Sequence, residues 1–262
     1  MSEIEWRKLR ADQLRDYARQ GAMVIVPVGS LEQHGPHLAV EVDSRLVEGV
    51  SHATARIIAE SEKVLVLPVV WTGVSEHHMS FGGTVSLDYA AFAAVIEGIC
   101  RSVVRHGFKR IVLFNGHGGN DNALRVLTDE LTTKYGVPIV QFTYWHAAAE
   151  PIADILETQS ALRHACEAET SLMMVLSPDC VTEDRIALAK TNAAPDSGWP
   201  AGGGVYRWRS IGSMSGSGVL GNPEAASAEK GRRLLKAISE TIAGKLTSRE
   251  FWALPWRSDP LE

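Results

Sequence analysis

Residues 22–37 read Ala22-Met-Val-Ile-Val-Pro-Val28, then Gly29-Ser-Leu-Glu32-Gln-His34-Gly-Pro-His37. The first half is apolar without alternation, the pattern of a strand covered on both faces, as in the middle of a parallel sheet. The second half begins with a glycine and at once presents a carboxylate and two imidazoles. A buried strand that ends in ionisable side chains is where α/β proteins gather ligand groups.

Three more runs of this kind follow: Val64 to Val70, Arg110 to Phe114 and Pro138 to Thr143. Helical periodicity lies between and after them. Ser44 to Glu60 is one such segment, with Asp43 available as its N-cap. Leu87 to His106 stops at Gly107, and Asn122 to Tyr135 stops at Gly136. Two further helices are expected, from about His164 to Leu176 and from about Pro223 to Lys245. Alternating strands and helices predict an α/β fold, a three-layer sandwich with a mostly parallel central sheet flanked by helices. Residues 1–262 are read as a single domain. Thr191 to Gly221, rich in Gly, Ser and Asn and carrying Trp199, Tyr206 and Trp208, is expected to be a long ordered loop over the site or at a subunit contact.

The chain has 262 residues, 45% hydrophobic and 22% charged, enough for a well-buried core. Its net charge of -5 argues against a nucleic-acid partner. No apolar run approaches the roughly 20 residues needed to cross a bilayer, and the first residues lack the order of a signal peptide. Three cysteines without paired spacing argue against a disulfide framework. A cytoplasmic protein acting on a small molecule is the expectation.

Polar residues cluster after the expected strands: Glu32, His34 and His37 with Asp43; Ser75-Glu-His77-His78; and Asn115-Gly-His117-Gly118-Gly119-Asn120. A fourth group, His164-Ala-Cys-Glu167-Ala-Glu169, opens a helix. Imidazole with carboxylate is the donor set for zinc, manganese or iron. Glu32 and His34, two apart on an extended segment, face the same way, and Asp43 can return to the same spot and bridge two ions. The glycines around His117 let the backbone approach a ligand. Each feature has a plainer reading: a core histidine, a helix cap for Asp43, an anion-binding turn, or dipole compensation by Glu167 and Glu169. Their coincidence at several strand ends favours a site. Covalent alternatives are weaker, because Cys166 and His164 are badly spaced for a catalytic pair and Ser30 and Ser75 sit in no nucleophile elbow.

On these stretches, with Phe81-Gly-Gly-Thr84, Gly221-Asn-Pro and Ala228-Glu-Lys-Gly231, the sequence resembles the creatininase family from about residue 20 to 232. The resemblance implies a homohexamer and two divalent metal ions per subunit, zinc first, with manganese and iron as alternatives. Glu32, His34, Asp43 and His117 match the ligand positions, with Asp43 bridging. His164 matches a histidine that contacts substrate or passes a proton, and Ser75 falls near a substrate-binding serine. Gly118 is taken as a further substrate contact.

The chain departs from creatininase in two places. Creatininase carries Tyr-Glu where Gly118-Gly119 stand, and a Trp-Asp pair in the region of Ser160 and Ala161. Creatinine is therefore not the expected substrate. Glu169, or else Glu167, is expected to replace the missing carboxylate. The Gly-His-Gly-Gly-Asn form is shared with branches that include formamide hydrolases, a mycofactocin-associated peptidase and a cyclic-ketone hydrolase. The expected activity is hydrolysis of an amide-type C–N bond by a hydroxide activated by the two ions, with His164 as general acid and Glu167 as second candidate. The alternatives are ring opening of a cyclic ketone at a C–C bond and a non-catalytic metal-binding subunit.

Overall fold

The computed structural model describes residues 3–190 and 207–253. Four parallel strands, β1 (Met23–Val28), β2 (Val64–Val66), β3 (Arg110–Asn115) and β4 (Ile139–Thr143), form one sheet in the order β2-β1-β3-β4. Helices α1 (Ala11–Arg19), α2 (Val42–Ile58), α3 (Tyr89–Arg105), α4 (Asp121–Tyr135), α5 (Tyr144–Ala147), α6 (Ala149–Ile155), α7 (Glu167–Leu176) and α8 (Ala228–Leu246) complete the described regular structure, with short 3-10 turns between them. All four strands run parallel, and helices cover both faces.

The strand alternation sorts the core into two layers. Met23, Ile25, Val112 and Phe114 join α2, α7 and α8 through Leu46, Leu172, Leu234 and Ile238. Val24, Val26, Ile111 and Leu113 face the other way, onto Phe92 and Ile96 of α3 and Leu124 and Leu127 of α4. That is why β1 shows no polar alternation: each face of it lies in a core.

Several boundaries differ from the sequence expectation, each for a local reason. The second strand ends at Val66 because Pro68 has no N–H to give the ladder, although Val70 pairs again with β1 through Pro27 and Gly29. Helix α2 starts at Val42, with Glu41 in the cap position, so Asp43 lies in the first turn and caps nothing. Helix α7 starts only at Glu167, because Ala165 adopts φ +54 and breaks any helix from His164. Helix α8 starts at Ala228, where the Ser227 hydroxyl accepts the Lys230 N–H at 3.2 Å, and not at Pro223. Gly136, at φ +64, ends α4 as expected. Trp199 and Tyr206 lie outside the described residues.

Since β2 and β3 flank β1 on opposite sides, the connections leaving β1 and β3 diverge. The crevice at their carboxyl ends is the switch point where such sheets bind ligands.

Candidate metal centre

Glu32 and His34 sit in that crevice on a segment fixed by its backbone. The Glu32 N–H donates to Val40 at 2.9 Å, and Leu31 bridges to Val85. Asp43 arrives from the first turn of α2, His117 from the end of β3, and Glu169 from the first turn of α7. All five side chains are buried.

Second contacts fix which nitrogen each imidazole presents. His34 Nδ1–H donates to the Glu32 carbonyl at 3.1 Å, leaving Nε2 to face Asp43 Oδ1 at 3.3 Å and Glu169 Oε2 at 3.9 Å. His117 Nε2–H donates to the Val74 carbonyl at 3.0 Å, leaving Nδ1 at 2.8 Å from Asp43 Oδ2 and 3.3 Å from Glu32 Oε2. Such fixing of the outer ring nitrogen is typical of metal-binding histidines. Asp43 thus offers one oxygen to each side, and in these tautomers a bare lone pair meets a carboxylate oxygen on both.

While the two histidines keep these neutral tautomers, two buried atoms, His34 Nε2 and Asp43 Oδ2, have no hydrogen-bond partner. A buried carboxylate cluster without a cation is costly, and among the described residues the ion-pair partners of Glu32, Asp43 and Glu169 are imidazoles only. Donor atoms of His34, Asp43 and Glu169 lie within 4.8 Å of one another, and so do those of Glu32, His77 and His117. Unspent lone pairs, acceptor-only chemistry and the two-sided Asp43 fit a pair of divalent cations.

Protonation follows the same strain. Burial raises Glu32 to about 7 and Glu169 to about 8, the Asp43 charge adding to both. Burial alone would depress His34 and His117, but the carboxylates around them prevail and lift them to about 10 and about 9. Asp43 is held well below the usual carboxylate range: burial opposes its ionisation, and His34 and His117 outweigh it. Without a cation, the site keeps protons where a metal would sit.

His164 stands at the edge of the cluster. Its Nε2–H donates to the Gln33 carbonyl at 2.8 Å, its Nδ1 lies 3.6 Å from Glu32 Oε1, and its ring lies against His34 at 4.1 Å between centroids. Burial, with His34 as a cationic neighbour, keeps its pKa well below the ordinary value, so it is a neutral imidazole. A cavity of 160 Å³ opens over these groups, walled by Trp145, Leu162, Ile211 and the Gly118-Gly119 backbone.

The structure therefore brings Glu32, His34, Asp43, His117 and Glu169 together, with His164 and Gly118 beside them. Two expected roles need correction. Glu167 turns away from the cavity, and its oxygens accept from buried Lys230, from Thr158 Oγ1 at 2.6 Å and from the amides of Thr158 and Glu157 at 2.9 and 3.0 Å. It has no free oxygen for acid catalysis or metal binding. Ser75 is fully buried behind His117, with its Oγ on Ser30 and 3.1 Å from His117 Nε2. It braces the ligand and does not line the cavity.

The sequence reading gave no role to His77, His78 or Gln33. His78 Nε2 reaches Glu32 Oε1 at 3.2 Å, and its Nδ1 accepts from Gln33 Nε2 at 2.9 Å. His77 stacks on His117, with 5.5 Å between centroids. The adjacent pair His77-His78 beside Ser75 was the available signal. Cys166 is no nucleophile, since burial pushes its thiol up to about 12.

Such a site is a cluster of imidazole and carboxylate donors able to hold metal at the switch point of an α/β fold. The chain belongs to the creatininase family, described as creatinine amidohydrolase, which it matches over residues 7–246. Mycofactocin precursor peptide peptidase of Mycolicibacterium smegmatis is 32% identical over 233 residues, covering 86% of this chain and 84% of that protein. Creatinine amidohydrolase of Pseudomonas putida is 30% identical over 262 residues, covering 93% and 94%. A creatininase structure described as the Mn form superimposes with a TM-score of 0.78 at 26% identity, covering 96% of this chain and 99% of that one. A mutant creatininase described as Zn-Zn type gives 0.76 at 27% identity, with the same coverage. Among the described residues, no helix is long and apolar enough to cross a membrane.

Proposed function

We propose that this protein is an amidohydrolase that cleaves an amide-type C–N bond at a pair of divalent cations, zinc first, held by Glu32, His34, Asp43, His117 and Glu169. The observation that carries the reading is Asp43, whose two oxygens face the inner ring nitrogens of His34 and His117. Cations bound there would polarise a carbonyl oxygen and make water acidic enough to act as nucleophile near neutral pH.

The chain's own groups do the rest. The Val74 and Glu32 carbonyls hold the two imidazole tautomers, and Ser75 braces His117 from behind. Neutral His164, with Nδ1 turned to the cluster, takes up a proton and returns it to the departing nitrogen. Trp145, Leu162 and Ile211 limit water around the reacting atoms. Ser160 and Ala161, both exposed, supply no aromatic or acidic group to close over creatinine, which argues for another amide. A cytoplasmic homo-oligomer, expected as a hexamer, remains part of the proposal.

The test is amine release from a panel of cyclic amides, formamides and peptides, with the protein metal-loaded or stripped by chelator. Amine release that follows metal content supports the reading. A 3-dehydro-scyllo-inosose hydrolase of Thermotoga maritima, 25% identical over 261 residues, keeps a second reaction in view. Carboxylate formation from a cyclic ketone without amine would assign ring opening instead.

A further inference from the structure

Beside the small chamber lies a larger cavity of 690 Å³, and the two share His77, Gly118, Gly119 and Ile211 as common wall. The larger one is walled by Val74, Leu87, Tyr89, Trp208, Met214 and Leu220. Tyr89 and Trp208 are 58% and 55% exposed, so two large rings face this space uncovered. Its polar wall holds Glu76, Asn122 and Arg209 as well as Asp88, which caps α3 by accepting the Ala91 N–H at 2.7 Å, and Ser86, whose hydroxyl accepts the Ser75 N–H at 2.9 Å.

Two of the four shared residues are glycine. A Cβ on Gly119 would lie 2.1 Å from the Val74 carbonyl oxygen, so that residue has to be glycine. Gly118 differs. Nothing lies within 4 Å of a Cβ placed on it, and it is not among the residues with positive φ. Neither sterics nor backbone demands glycine there, and the space its missing side chain leaves lies at the wall that the reaction chamber and the larger cavity share. The reaction chamber measures 160 Å³ against 690 Å³ for the larger cavity.

We infer that the larger cavity is the subsite for an apolar arm of the substrate, which makes the substrate an acyl or peptide amide with a large aliphatic or aromatic side chain beside the scissile bond. This rests on the amidohydrolase reading and extends it to a substrate class. Water adds across the bond: C–N breaks, C–O forms, and acid and amine leave. The arm takes no part in the chemistry. It buries its surface against Tyr89, Trp208, Leu87 and Met214, a gain of roughly tenfold or more in affinity for an aromatic group.

The experiment measures dissociation constants by calorimetry for two chelating probes on the zinc-loaded protein, acetohydroxamic acid and 3-phenylpropanohydroxamic acid. The phenyl probe is expected to bind at least tenfold more tightly. Gly118→Leu, which fills the space at the shared wall, and the Tyr89→Ala/Trp208→Ala double variant should each reduce that ratio towards one while metal content stays unchanged. Equal affinity of the two probes for the parent protein, or a phenyl advantage that survives both variants, overturns the subsite. Failure of both probes to bind zinc-loaded protein instead sinks the metal-centre reading beneath it, and the subsite with it.

Discussion

Two buried charged clusters stand at the opening of α7, and they are built to opposite rules. Around Glu167 every group is spent. Lys230 Nζ meets Glu167, Glu157 Oε1 at 3.3 Å and the Ala225 carbonyl at 2.6 Å, and Glu167 accepts from Thr158 and from two amides. Burial alone would raise the Glu167 carboxyl, but Lys230 and Thr158 hold it below the ordinary value. Two residues on, Glu169 belongs to a cluster with no lysine or arginine ion pair among the described residues and with unspent donor atoms. The chain supplies its own cation to the first and leaves the second to be completed from outside. What separates a structural ion pair from a ligand set is whether the hydrogen-bond account closes.

The comparison breaks first at Asp43. Asp43→Ala removes the group that faces both histidines, so metal content should fall with activity, and kcat/KM by at least the roughly 10²–10³-fold lost with one oxyanion donor. A variant that keeps turnover without metal would end the proposal. Lys230→Met tests the other cluster. It leaves Glu167 buried without its cation and should cost about 3–5 kcal/mol in denaturant unfolding. Adding Glu167→Gln should recover part of that loss. If Lys230→Met strips metal from the stable protein instead, the two clusters are not independent.

The smallest effect sharpens the contrast through pH. His34 and His117 hold protons up to about 10 and about 9 in the cation-free protein, so zinc has to displace them, and its affinity should climb from pH 6 to pH 9. Linkage gives the sign for stability. Histidines raised above their unfolded value of about 6.5 stabilise fully below it and lose that contribution as pH rises through 9–10. Glu32 and Glu169, raised to about 7 and 8, act in the same direction. The Tm of stripped protein should fall across this range, while that of metal-loaded protein changes less. Equal pH profiles would place the protons elsewhere.

The strands were legible because burial on both faces leaves a strong trace: four apolar runs became the four strands, with ends shifted by a few residues. The ligand types were legible because Glu32, His34 and His117 follow strand ends directly. What stayed hidden depended on tertiary contacts. Glu167 and Glu169 are equivalent in sequence, both in a first helical turn, and only Lys230, reached from α8, tells them apart. Asp43 resembles a cap because its type fits, yet the helix begins one residue earlier. Helices α1, α5 and α6 went unread, the last two being short and held by packing of Tyr144, Ala148 and Ile152 against the core.

Gly119 restricts how this site can evolve. A side chain there would meet the Val74 carbonyl at 2.1 Å and His117 Nε2 at 2.4 Å, the two atoms whose hydrogen bond aims that imidazole. A carboxylate introduced at this position to add a donor would thus misplace His117 before it could serve the cluster.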